Sequence, residues 1–173
     1  MDKITESLKK YLDSAGISHE TSFESYGGLN NDYPTSTCFH REDVNNPKRC
    51  MSVVIDIFPK KNLFYITASP FVVFGDRKMD ELRDFESKWN RIGMMTTLAI
   101  KEEVGVLELD VYCFKLNLCG FCDNNGLEET IWRKYLERVE NETWEAWEKV
   151  SEIVGGFFYE ESDEPAVSDD LPF

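Results

Sequence analysis

Basic residues are scarce: 19 lysines and arginines stand against 33 aspartates and glutamates, a formal net charge of −14. Broad affinity for a phosphate backbone is therefore disfavoured unless the few bases gather on one face. Long apolar runs are missing too, since nowhere do the roughly 18 consecutive apolar residues of a membrane helix occur. The opening Met1-Asp2-Lys3-Ile4-Thr5-Glu6-Ser7-Leu8-Lys9-Lys10 is too polar for a secretory leader, so no membrane association and a cytoplasmic protein are expected. Histidine occurs only as His19 and His40, neither with a serine, aspartate or cysteine at nucleophile spacing, and no glycine loop resembles a phosphate cradle. Five cysteines, an odd number without a secretory leader, point to reduced thiols rather than a disulfide framework.

What is present suffices for one domain: 42% hydrophobic residues in a chain of 173 can fill a sizeable core. The charge divides unevenly. Glu160, Glu161, Asp163, Glu164, Asp169 and Asp170 put −6 on residues 160–173, which contain no base, and leave −8 on everything before them. Residues 1–159 thus read as the folded unit. Residues 160–173, poor in apolar surface, read as a disordered acidic tail.

Ile4, Leu8, Tyr11, Leu12 and Ala15 lie on one helical stripe that Gly16 ends, predicting a helix over 3–15. A weak strand over 19–26, a Gly-Gly-Leu-Asn-Asn-Asp-Tyr-Pro loop from Gly27 and a second strand over 37–41 follow. Val53-Val54-Ile55 with Ile57 predicts a strand over 50–58, which turns through Pro59-Lys60-Lys61-Asn62 into another over 63–69. Asp76 can cap a helix carrying Met79, Leu82, Phe85, Trp89 and Ile92 that ends near Gly93. Strands over 95–101 and 106–116 pair through a turn at 101–105, with Leu107, Leu109, Val111 and Cys113 alternating with polar residues. The last helix, 127–154, carries Ile131, Tyr135, Leu136, Val139, Thr143, Trp147, Val150 and Val154 as its stripe, flanked by Trp132 and Trp144.

Two constellations carry latent chemistry. Cys119-Gly120-Phe121-Cys122 has the spacing of a redox pair, but the following helix starts too late to lower a thiolate pKa and no parallel βαβ unit surrounds it. The same two cysteines offer two zinc ligands at knuckle spacing, and Cys38, His40 and Cys50 can supply two more only if the fold gathers them. Buried or idle thiols are the plainer reading. The carboxylates of the last helix, Glu137, Glu140, Glu145, Glu148 and Glu152, interleave with Arg133, Lys134, Arg138 and Lys149 as a solvated face does. No catalytic residues and no cofactor are expected.

The succession helix, three strands, helix, two strands, helix (α-β-β-β-α-β-β-α) resembles the type III secretion chaperone-like fold, and its details resemble the YbjN family over residues 4–154. The matching words are Leu8-Lys9-Lys10-Tyr11-Leu12 with Gly16-Ile17, Met51 to Pro59, Leu63-Phe64-Tyr65-Ile66-Thr67-Ala68, Trp89-Asn90 and Val104-Gly105-Val106-Leu107. The stretch between the first helix and Met51 is longer than that pattern needs. The resemblance implies an α+β domain, an antiparallel sheet against helices, that binds protein partners without catalytic machinery and forms homodimers in many members.

Ser168-Asp169-Asp170-Leu171-Pro172-Phe173 is similar to the acidic tip of bacterial single-stranded-DNA-binding proteins. A terminal Phe173 offers a ring and an α-carboxylate to a pocket with a cationic rim, Pro172 lowers the ordering cost, and Asp169 and Asp170 can lie along a basic ridge. The resemblance implies docking on replication, recombination and repair proteins that recognise such tips, and a bacterial, plasmid or phage origin. Two functions from different classes follow: a protein-interaction module whose docking residues are Asp169, Asp170, Leu171, Pro172 and Phe173, or a single-stranded-DNA-binding protein on an unusual fold. For the second, Phe58, Lys60, Lys61, Phe64 and Tyr65 on the hairpin, or Lys88, Trp89 and Arg91, are the candidates for stacking and phosphate contact. Aromatics that alternate as core residues should weigh against it.

Overall fold

The computed structural model describes residues 2–23, 34–92, 94–103, 111–122, 126–157 and 159–160. The first helix, α1 (Lys3–Ser14), starts at Asp2, whose carboxylate accepts the Thr5 amide at 2.8 Å and so satisfies a donor that the first turn leaves open. Five strands follow: β1 (Glu20–Phe23), β2 (Thr35–Asp43), β3 (Asn46–Phe58), β4 (Leu63–Pro70) and β5 (Val72–Gly75). Then come α2 (Met79–Trp89), β6 (Thr97–Glu103), β7 (Val111–Phe121), α3 (Glu129–Val154) and the short β8 (Tyr159–Glu160). The α+β class holds. Strands form at both places expected before β3, as β1 and β2, but the element order departs from α-β-β-β-α-β-β-α: five strands precede α2, since the chain bends at Phe71 after Pro70 before β5 resumes pairing on β7, and β8 follows α3.

All pairings are antiparallel, in the order β1-β2-β3-β4-β7, with β6 on the other edge of β7, β5 continuing beyond β4, and β8 beside β5. The β2–β3 hairpin is longer than expected, its turn tightened where the Asn45 amide donates to Asp43 Oδ1 at 2.9 Å. Of the strand expected over 106–116, residues 106–110 lie outside the described residues and the described part, β7, continues to Phe121; the turn expected at 101–105 also falls partly outside the described residues. Asp76 does not cap α2 with its side chain; its backbone carbonyl accepts the Met79 amide, and the helix starts at Met79.

The helices cover one face of the sheet. Ile4, Leu8 and Leu12 of α1 with Trp132, Leu136 and Val139 of α3 bury Phe39, Met51, Val53, Ile55, Ile57, Phe64 and Ile66. Leu82 and Trp89 of α2 with Ala146, Trp147 and Val150 of α3 bury Phe74, Leu98, Ile100, Phe114 and Leu116. One long helix thus joins both halves of the core. Ser7 Oγ fastens α1 to its start by accepting from Trp132 Nε1 at 3.0 Å and the Leu127 amide at 3.2 Å. Arg41 donates from Nε and Nη2 to Glu140 at 2.6 and 3.1 Å, a two-pronged tie from β2 to α3 that holds the guanidinium pKa above its usual value. Burial, with Glu140 adding to it, pushes the neighbouring Tyr11 phenol up, so it stays neutral at working pH.

The buried stripe of α3 is rotated slightly from the expected one: Trp132, Glu142 and Ala146 are inside, while Ile131 is 37% exposed. Ile92 lies past the end of α2 and is 74% exposed, so it is no core residue. Trp147 is buried, with ring contacts at 6.0 Å to Trp144 and 5.3 Å to Phe157 and the Arg49 guanidinium 5.9 Å from its ring. Trp147→Ala is expected to lower stability by about 3–5 kcal/mol in chemical denaturation. A change below about 1 kcal/mol, the size of an ordinary surface substitution or little more, would take this face of α3 out of the core. No described helix is long and apolar enough to cross a membrane.

Candidate functional site

Because a strand's side chains alternate, burying Ile57, Phe64 and Gly120 under the helices sends their neighbours to the opposite face. Register sets those neighbours in two rows, Ser36–Asp56–Tyr65–Cys119 and, at the sheet's end, Phe58–Leu63–Phe121. This face carries no helix among the described residues. Its middle is polar: Thr67 Oγ1 donates to Asn117 at 3.1 Å, Ser36 Oγ donates to Asp56 at 2.5 Å, and Cys38 Sγ lies 3.6 Å from Ser52 Oγ.

The end beside the Pro59–Lys61 turn is aromatic. Phe121 is 75% exposed and Tyr65 39%, large values for such rings. Tyr65 meets Phe58 edge to face at 5.8 Å, and Lys61 Nζ sits 5.6 Å from the Phe58 centroid. Phe58, Tyr65 and Phe121 with Lys61 form a shallow platform that can take a planar ring, with an ammonium at its edge. The neighbouring Lys60 also belongs to the turn and has a partner of its own.

Of the hairpin residues singled out for stacking, Phe58, Lys60, Lys61 and Tyr65 are therefore together, but Phe64 is not with them. Its ring is fully buried, 4.9 Å from Trp132 and 5.3 Å from Tyr135, because it shares with Ile66 and Ala68 the helix-covered side of the strand. Trp89 is likewise buried, 5.7 Å from Phe85 with Nε1 donating to Thr96 Oγ1 at 3.4 Å, and cannot stack on a base. Lys88 and Arg91 are exposed nearby, with Lys88 paired to Asp84 at 2.5 Å. Phe121 was not singled out. Its signal was its place in Leu118-Cys119-Gly120-Phe121, where an inward Gly120 obliges an outward phenylalanine.

Gly120 itself has a packing reason: a Cβ there would lie 2.1 Å from the Phe64 ring, so only glycine lets that ring cross the strand. The same alternation separates the thiols. Cys119 is exposed on the open face and Cys122 is buried among the core residues beneath the helices, an arrangement that does not make a redox pair. Cys38 and His40 lie on β2, with the His40 ring 5.6 Å from Phe71, and Cys50 lies on β3. Among the described residues no three histidine, cysteine or acidic side chains are placed to hold a metal ion, so the five candidate zinc ligands are not gathered. The docking residues Asp169 to Phe173 lie outside the described residues. No protein-family model, curated protein or solved structure matches the chain.

Proposed function

We propose that the chain is a non-enzymatic, cytoplasmic protein-interaction module, chaperone-like or adaptor in kind, whose tip Asp169-Asp170-Leu171-Pro172-Phe173 docks on proteins of DNA replication, recombination and repair. The observation that carries this reading is the sequence of that tip, in which two acids precede Leu-Pro-Phe at the end of a base-free stretch. The body supports it by leaving one whole sheet face without a helix among the described residues, a surface on which a partner or a second copy can lie. A two-layer body of this kind is also compatible with the type III secretion chaperone-like fold of the YbjN family. Calorimetric titration against a protein that recognises the tips of single-stranded-DNA-binding proteins tests the reading. A complex on the order of micromolar is expected, as a short segment ordered on binding allows.

The second reading, a single-stranded-DNA-binding protein, is favoured by one observation: Phe121 and Tyr65 stand exposed at diagonal positions of adjacent strands, with Lys61 near Phe58 at the platform's edge. Against it stand the −8 carried by residues 1–159 and the burial of Phe64 and Trp89. Fluorescence anisotropy with labelled oligothymidylate at low salt separates the two. If DNA binds, Phe121→Ser is expected to weaken it by about 1–3 kcal/mol, the worth of one stacked base. Lys61→Glu should flatten the salt dependence. No binding at micromolar protein leaves the interaction module alone.

A further inference from the structure

The helix-covered side of the molecule carries a concave feature. Met95, Ile131 and Tyr135 line a cavity of about 390 Å³ whose walls also include Lys134 and Arg138. Two of these residues are held by Glu142, a side chain only 2% exposed that accepts the Thr96 amide at 3.0 Å, the Thr96 hydroxyl and the Met95 amide at 3.4 Å, and pairs with Arg138. That network holds the start of β6 against α3. It leaves Met95 50% and Ile131 37% exposed, with the Arg138 guanidinium half in solvent and Lys134 exposed beside it. An apolar groove rimmed by two cations is an unusual surface on a chain of net charge −14.

We infer that this groove is a docking site for the chain's own residues 169–173, an intramolecular cap on the tip. Leu171, Pro172 and Phe173 supply apolar surface for Met95, Ile131 and Tyr135, and Asp169 with Asp170 supply charge for Lys134 and Arg138. The reach is sufficient. Phe157 packs on Trp147 and the last described residue, Glu160, pairs with Val72 of the same core cluster, while Ile131 lies about 24 Å back along α3 from Trp147 at 1.5 Å per residue. Residues 161–173 can extend to about 43 Å at 3.3 Å each. The aromatic platform around Phe121 is a poorer home, being a strand face with the acidic Asp56 opposite Tyr65. The inference rests on the reading of residues 169–173 as a docking element and adds its regulation: a receptor must displace the groove to take the tip.

The test uses full-length chains and a fluorescent peptide with the sequence of residues 168–173. A chain with Leu171→Ser and Phe173→Ser has a vacant groove and is expected to bind the peptide. The parent should bind it about tenfold or more weakly, because its tethered segment competes at an effective concentration near millimolar. Adding Ile131→Glu or Lys134→Glu to the vacant-groove chain should weaken the peptide about tenfold; both positions are exposed, and a circular-dichroism melt checks that each variant folds. No peptide binding by the vacant-groove chain, or equal binding by the groove variants, overturns the proposal. Competition in the parent that grows with protein concentration assigns the groove to a second copy's tail and overturns it as well. The receptor titration separates the two readings: Lys134→Glu should bind a tip receptor several-fold more tightly than the parent. Equal, retained receptor binding sinks the cap and spares the tip; loss of receptor binding in both chains, with peptide still entering the groove, sinks the receptor and spares the cap.

Discussion

Glu142→Ala is expected to lower stability by about 3 kcal/mol or more, because it strips the acceptor from two buried donors, the amide and hydroxyl of Thr96. Thr96 is buried, and its amide and hydroxyl both donate to this carboxylate, as does the Met95 amide. Trp89 Nε1 donates in turn to Thr96 Oγ1, so the loss reaches from α3 through β6 to α2. Glu142→Gln keeps the shape and one carbonyl acceptor, and should lose only about 1–2 kcal/mol. Urea denaturation of the two variants checks the account. Equal losses would mean that side-chain volume, rather than acceptance of these bonds, holds β6 to α3.

In a chain made to end at Phe173, deleting that residue or adding one after it is expected to abolish binding to a receptor of single-stranded-DNA-binding-protein tips while leaving the fold unchanged. Deletion takes the ring from its pocket, and extension moves the carboxylate at position 173 away from its cationic partner, so two dissimilar changes converge on one outcome. Asp169→Asn with Asp170→Asn should weaken binding by degrees and reduce its salt dependence, since charges at an exposed rim are screened. Calorimetry of the intact, shortened and extended chains against one receptor decides it. Equal affinities for all three would reduce the tail to a solubilising appendage.

The lesson about legibility lies in particular strands. The 3.6-residue period of α1 and α3 was plain, since Leu8, Leu12, Leu136, Val139, Trp147 and Val150 recur at helical steps and are all buried. The hairpin of β3 and β4 was equally plain, from its β-branched run and the Pro59 turn. The candidate platform was legible only in part. Phe58-Pro-Lys-Lys-Asn-Leu-Phe-Tyr has aromatics on both faces of its strands, so alternation alone does not say whether Phe64 or Tyr65 faces the helices. The end of α2 was less plain, because Ile92 continues the helical steps of Leu82, Phe85 and Trp89 but lies past the last turn.

By itself the sequence determined the acidic balance, the base-free end with its Leu-Pro-Phe tip, the α+β class and the helices, because charge, composition and a 3.6-residue period are properties of the chain. Only the tertiary structure decided that Phe64 and Trp89 are core while Phe121 is surface, and that Cys119 and Cys122 lie on opposite sides. Only it brought Met95 beside Ile131, Lys134 and Arg138. The physical reason is the same in each case: which face of a strand or helix is buried depends on what packs against it, and those partners lie tens of residues away in the chain.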